Sequence, residues 1–258
     1  MMKQRLYLLI IIACTIGIIG CCSTHAPSGL PAYSVETIET PNGLSVETGG
    51  LDFLSDGRLV ACFRRGEVLF HDPNTGDWSL FARGLQDPLG NKAVSDTELL
   101  VMQRSELTKL VDRDGDGSAD LYKTVTDDFG MSGNYHEFAF GPEKDKNGGY
   151  YIALNVASNL AGVRDMLRGE FNELGRPGRM FSAVPYRGWV MKVTADGQTI
   201  PWASGLRSPN GLEVDTEGNL FITDNQGIGW VQVNFIISRK IIFTDIRQAS
   251  FGRRILRI

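Results

Sequence analysis

Two stretches of this chain repeat each other. Phe81-Ala82-Arg83-Gly84-Leu85-Gln86-Asp87-Pro88-Leu89-Gly90 is echoed by Trp202-Ala203-Ser204-Gly205-Leu206-Arg207-Ser208-Pro209-Asn210-Gly211, 121 residues on (202 minus 81). Each copy leads into a pair of strand-length runs joined by a polar turn. In the second copy the runs are 212–215 and 220–223, with Thr216-Glu217-Gly218-Asn219 between them. Related pairs begin near Leu51, Ala93 and Glu137. A unit that repeats its approach and its turn together restricts the chain to folds built by reiterating one small sheet.

The remaining patterning agrees. The 30 Gly and 10 Pro recur between short β-rich runs such as 59–63, 98–102, 150–154, 189–193 and 220–223. Only 159–174 has helical periodicity, and Gly162 and Gly169 interrupt it. Unit spacings of roughly 40–45 residues suit four-stranded β-propeller blades, with the longer gap before Leu212 holding an extra segment, 157–186. The alternative is a β-sandwich with accidental similarity. The fold class is therefore all-β.

The front of the chain reads as a targeting signal. Lys3 and Arg5 precede an apolar run from Leu6 to Ile19, which as a helix would span about 21 Å, short for a hydrocarbon core of about 30 Å. Ile18-Ile19-Gly20-Cys21 is similar to the lipobox of bacterial lipoproteins, whose cysteine is lipidated and becomes the first residue of the mature chain. Residues 1–20 are expected to be a lipoprotein signal peptide and Cys21 the lipid anchor, placing the protein at a membrane of the cell envelope. A plain signal peptide cut a few residues later is the alternative. Residues 21–34 read as a tether, 35–230 as the β body and 231–258 as a divergent tail.

Net charge is −4, with acids and bases interspersed, which argues against nucleic acid as a partner. Cys62, within an apolar run, is expected to be a buried core residue. His71 precedes a turn and reads as structural.

Asp112-Arg113-Asp114-Gly115-Asp116-Gly117-Ser118-Ala119-Asp120 is the sharpest local motif. Carboxylates at positions 1, 3, 5 and 9, with glycine at 6, match the start of a calcium loop, because a hard cation needs many oxygens from a tightly curled backbone. Lys123 stands where such a loop usually ends in Glu. Asp112, Asp114, Asp116 and Asp120 are the candidate ligands of a structural calcium between strands, or else an acidic surface turn. His136, in Gly133-Asn134-Tyr135-His136-Glu137, is either a catalytic base or an ordinary loop histidine. No paired-histidine or paired-cysteine metal motif, nucleophile elbow, Walker loop or dinucleotide fingerprint occurs.

Several motifs resemble a family of secreted proteins of planctomycete-type bacteria regarded as dehydrogenases, related to the glucose/sorbosone dehydrogenase-like β-propellers. They are 110–120, Tyr135-His136-Glu137, Phe140-Gly141-Pro142, 205–211 and Phe221-Ile222-Thr223-Asp224-Asn225-Gln226-Gly227. The resemblance covers most of the chain to about Trp230. It implies a six-bladed propeller, of which about four blades are present, and oxidation of a sugar or related alcohol with pyrroloquinoline quinone (PQQ) and calcium. By the same resemblance His136 is the proton-accepting base, although Glu137 departs from the pattern after it. Arg207 is the quinone contact, with Ser208 in place of an asparagine; Asn210 of the same loop and Arg64 are further cofactor contacts. A cytochrome is the implied electron acceptor. Two other readings stand beside this one: a non-catalytic module binding a glycan or protein, and a calcium-dependent lactonase-like hydrolase drawing on Asp224 and Glu137.

The resemblance stops after Trp230, where the family continues toward a Phe-Tyr-Gly-His-Pro-Ala-Ser-like stretch. Codons can be chosen for residues 240–249 that give that pattern once two bases are dropped. The tail is therefore expected to be out of frame, in a truncated or frameshifted copy of its parent that is itself inactive or unstable; a genuine divergent C-terminus is the alternative.

Overall fold

The computed structural model describes residues 34–158, 167–171, 180–226 and 232–238, the last stretch by its backbone pairing. The signal peptide, Cys21, nearly all of the tether and residues 239–258 lie outside the described residues. All the strands belong to one compact unit, Thr40–Ile258.

The chain folds into successive antiparallel meanders. The first sheet is β1 (Thr48–Phe53), β2 (Leu59–Phe63), β3 (Glu67–His71) and β4 (Trp78–Ala82), in that order. The second is β5 (Asn91–Ala93), β6 (Glu98–Met102), β7 (Leu107–Val111) and β8 (Leu121–Thr126). The third uses β9 (Ala139–Lys144) and β10 (Tyr150–Leu154). Between β10 and its next partner the chain inserts a ribbon, β11 (Ala157–Ser158) with β12 (Met180–Phe181). Then β13 (Trp189–Val193) and β14 (Thr199–Ser204) complete the third sheet. The fourth is β15 (Pro209–Val214), β16 (Leu220–Gln226) and β17 (Gln232–Ser238). These are the expected all-β units, beginning close to the four positions read from the repeat. Of the stretch with helical periodicity, 167–171 are described and hold only an isolated bridge between Arg168 and Met131. β17 falls within the stretch read as an out-of-frame tail; it pairs along β16 from Gln232 opposite Gln226 to Ser238 opposite Leu220.

The middle strands are largely apolar because both their faces are covered. On β6, Leu99 and Val101 pack against Val60, Val68 and Phe81 of the first sheet. The alternate residues Leu100 and Met102 face Ile152, Leu154 and Met191 of the third. Tyr151, Ala153 and Val190 then meet Leu220 and Ile222 of the fourth. Neighbouring sheets also meet through their first strands, β1 beside β5, β5 beside β9 and β9 beside β15. Glycine permits this approach: a Cβ on Gly90 would lie 1.8 Å from the Gly141 carbonyl oxygen. Cys62 is fully buried, and burial pushes its thiol up to about 12, which makes it the inert core residue expected. His71 is buried edge-on to Trp78, ring centroids 4.8 Å apart.

A meander has two ends, and the functional residues divide between them. Turns between first and second strands, and between third and fourth, lie at one end. Turns between second and third strands, and the crossings from one sheet to the next, lie at the other. The Asp112 loop, joining β7 to β8, is at the first end. Arg64, Arg104, His136 and Arg207 are all at the second.

Candidate functional site

The β10 strand runs on past Leu154 and lays residues 155 and 156 between two crossings. Asn155 donates its backbone N–H to the Phe138 carbonyl at 2.9 Å, and its side-chain amide donates to Ser208 Oγ at 2.9 Å. Val156 donates its N–H to the Arg207 carbonyl at 3.0 Å, and its own carbonyl lies 3.0 Å from His136 Nδ1. A carbonyl only accepts, so Nδ1 carries the ring proton and Nε2 the lone pair. The half-buried imidazole, when neutral, is thus held with Nε2 as its proton-accepting nitrogen.

Asn134 shapes the approach to His136. Its Oδ1 accepts from the N–H groups of His136 (3.1 Å) and Ser158 (3.2 Å), and its Nδ2 donates to the Ser158 carbonyl at 2.8 Å. Phe138 lies 6.2 Å from the His136 ring. The guanidiniums of Arg104 and Arg64 stand 4.7 and 5.6 Å from the Phe138 centroid. Both arginines pair with Asp87: Arg104 at 2.8 Å, and Arg64 at 3.4 Å with a further 3.7 Å contact to Glu47.

The Arg207 loop is fixed by Asp224. This buried carboxylate accepts the N–H of Arg207 at 3.1 Å and of Ser208 at 2.7 Å. Burial raises the Asp224 carboxyl above its usual range, and the two N–H groups oppose the rise. The Arg207 guanidinium donates to the Asn225 carbonyl at 2.6 Å. Asn210 is exposed at the register shift between Pro209 and Gly211.

Behind His136 lies an ion pair with no solvent exposure on either side chain. Arg187 Nε is 4.0 Å from Glu137 Oε2. Glu137 Oε2 accepts from the Ser132 N–H at 2.8 Å, while Oε1 is buried without a hydrogen-bond partner. Burial lowers the Arg187 guanidinium to about 10; Glu137 acts against this, and Arg104 and Arg168 add to it.

The sequence singled out His136, Arg207 and Arg64, which the structure places at one end of the fold, the first two joined through Val156. It did not single out Arg104, Asp87 or Arg187. Asp87 had a signal, since it stands in the first repeat where Ser208 stands in the second. Arg104 and Arg187 had none, because an arginine in a loop reads as solvated surface. Glu137, considered with Asp224 for a hydrolytic metal centre, pairs with Arg187 and the Ser132 N–H, and Asp224 accepts the N–H groups of Arg207 and Ser208.

At the opposite end, Asp112, Asp114 and Asp116 bring carboxylate oxygens within 4.8 Å of one another, the one such cluster among the described residues. Asp112 is buried and accepts the N–H groups of Gly115 (2.7 Å) and Gly117 (2.9 Å). Asp120 lies outside the cluster. Its carboxylate is held low by the backbone N–H of Arg113, then by that residue's guanidinium.

No family model matches the chain, and no curated protein matches it in sequence. Solved structures match in fold. The PQQ-bound aldose sugar dehydrogenase of Streptomyces coelicolor is 17% identical, with a TM-score of 0.54 over 79% of this chain and 63% of that one. A candidate oxidoreductase (glucose dehydrogenase) of Thermus thermophilus is 16% identical, with a TM-score of 0.53 over 75% and 62%. The chain spans less than two thirds of either protein. The likeness is one of fold: several antiparallel sheets arranged as in these two structures.

Proposed function

We propose that the His136 end of this fold serves quinone-dependent oxidation of a sugar or related alcohol outside the cytoplasm, in a six-bladed propeller of which these sheets are part. The observation that carries the reading is the Val156 peptide, which fixes His136 on one side and the Arg207 loop on the other. PQQ is a flat tricarboxylate, and the donor set fits it. The partly exposed Arg64, whose ion pairs are long, offers guanidinium N–H groups beside the aromatic face of Phe138, and Arg207 stands on the far side of the Val156 peptide from His136. When bound, the quinone supplies the electrophilic carbonyl that accepts hydride. His136 Nε2 takes the hydroxyl proton of the substrate, held in place by the Val156 carbonyl. Arg207 and Arg64 hold carboxylate and developing oxyanion charge. A cytochrome is the proposed electron acceptor.

Titrating the protein with PQQ and following quenching of intrinsic fluorescence tests the reading. Micromolar binding is expected, weakened about 10- to 100-fold by Arg207→Ala, the worth of one or two charge-assisted hydrogen bonds. No binding at tens of micromolar would sink it. Binding of a glycan alone, with no dye-linked turnover in the presence of PQQ and calcium, would favour a binding module instead.

The Asp112 loop is proposed to hold calcium as a structural ion, remote from the quinone. Calcium at one hundred times its Kd is expected to add about 2.7 kcal/mol of stability, read as a rise in Tm. Asp114→Asn should remove the rise; an equal rise in that variant would rule the loop out.

Export and lipidation at Cys21 are likewise proposed. Labelled fatty acid should enter the wild-type chain in a bacterial host and not Cys21→Ala; equal labelling of both would count against the anchor.

A further inference from the structure

Four carbonyls flank His136 closely, two before it and two after, and all four are gripped by arginine. Arg104 Nη1 donates to the carbonyls of Asn134 (3.1 Å) and Tyr135 (2.8 Å). Arg187 Nη1 donates to those of Glu137 (3.1 Å) and Phe138 (3.2 Å). Arg187 also reaches the Gly130 carbonyl at 2.8 Å, at the start of the same crossing, and the carbonyl of Arg104 itself at 3.3 Å. One guanidinium therefore holds both the histidine crossing and the turn that carries the other guanidinium.

Both arginines are costly to place. Arg187 is wholly buried, and Arg104 is 8% exposed in its side chain. The backbone beside Arg187 is also constrained: Tyr186 has φ of 64°, uncommon for a residue with a side chain, and Gly188 follows at 82°. That turn aims Arg187 inward, away from the solvent its charge prefers. Bonding four or five groups of one polypeptide segment from two planar, pre-organised forks fixes the segment more rigidly than packing could, because each fork sets direction as well as distance.

We infer that Arg104 and Arg187 are positioning residues: together they hold the 134–138 backbone so that His136 meets the Val156 carbonyl through Nδ1 and presents Nε2 as the base. The inference rests on the reading of His136 as a base. Neither arginine need touch a substrate for it to hold.

The test reads the histidine directly. In protein labelled with 15N in histidine, the ring nitrogens of His136 are followed by NMR in wild type, Arg104→Lys, Arg187→Lys and Leu110→Ala. Leu110 is a fully buried residue of the first core cluster, remote from the site, and its truncation controls for lost stability. Wild type should show one tautomer, protonated on Nδ1. Both lysine variants keep the charge but lose the fork. They should show mixed tautomers and exchange of the Nδ1 proton at least tenfold faster. Leu110→Ala should leave the His136 signals unmoved even where it lowers Tm as much. Wild-type His136 signals in folded Arg104→Lys would overturn the inference. So would a Leu110→Ala variant that disturbs His136 equally. If Arg187→Lys does not fold, Arg104→Lys decides alone. Absence of PQQ binding in wild type would end the functional reading and leave this result standing.

Discussion

Arg187→Met is expected to lower the unfolding free energy by about 3–5 kcal/mol, the largest single-site loss in the molecule. Methionine fills much of the volume, so the cost is electrostatic. The Glu137 carboxylate would stay buried with only the Ser132 N–H to satisfy it, and its Oε1 already lacks a partner. The carbonyls of residues 104, 130, 137 and 138 would lose a donor at the same time. Glu137→Gln should cost less, since the amide oxygen still accepts from Ser132 and Arg187 keeps its carbonyl partners. The double variant Arg187→Met/Glu137→Gln should be more stable than the sum of the single losses by at least about 1 kcal/mol, because no unpaired charge remains. Urea titrations of the four proteins give the cycle. A loss below about 1 kcal/mol for Arg187→Met would show that neither the ion pair nor the four carbonyl bonds add net stability.

Gly90→Ala is expected to cost at least about 3 kcal/mol, the upper end for an overpacked site. The new methyl would meet the Gly141 carbonyl oxygen at 1.8 Å, with the carbonyl carbon at 2.9 Å. These are backbone atoms of the next sheet's first strand, so no side chain can rotate away. Gly57→Ala separates this from backbone strain. Gly57 has φ of 91° but open space around its Cβ position, and its cost should stay near 1–2 kcal/mol. Thermal or urea unfolding distinguishes the two, and equal losses would mean that the first strands relax apart at no great cost.

The strands that were plain in the sequence are those buried on both faces. β2, β6, β10, β13 and β16 each hold an apolar run, because most of their residues are buried against neighbouring strands and sheets. Edge strands were harder. β4 and β8 each expose consecutive residues, Ser79-Leu80 and Tyr122-Lys123-Thr124, and β9 carries Gly141 and Pro142. The site divided the same way. His136 and Arg207 stand in loops with short recognisable surroundings. Arg187 acquires its role only when the chain has folded, since its partners lie 49 to 83 residues away in sequence. Nothing local distinguishes such an arginine from a solvated one.

The separation of the two ends has a practical side. Some turns at the Asp112 end stand clear of their surroundings: a Cβ at Gly57 or Gly197 would meet nothing within 4 Å. A dye, a tag or a short peptide graft could be attached there and would sit a strand's length, roughly 16 Å, from the histidine and arginines. Evolution has the same freedom. Loops at that end can lengthen, shorten or drift in sequence while the other end keeps its chemistry, so two proteins of this build could share a reactive surface and look unrelated everywhere else.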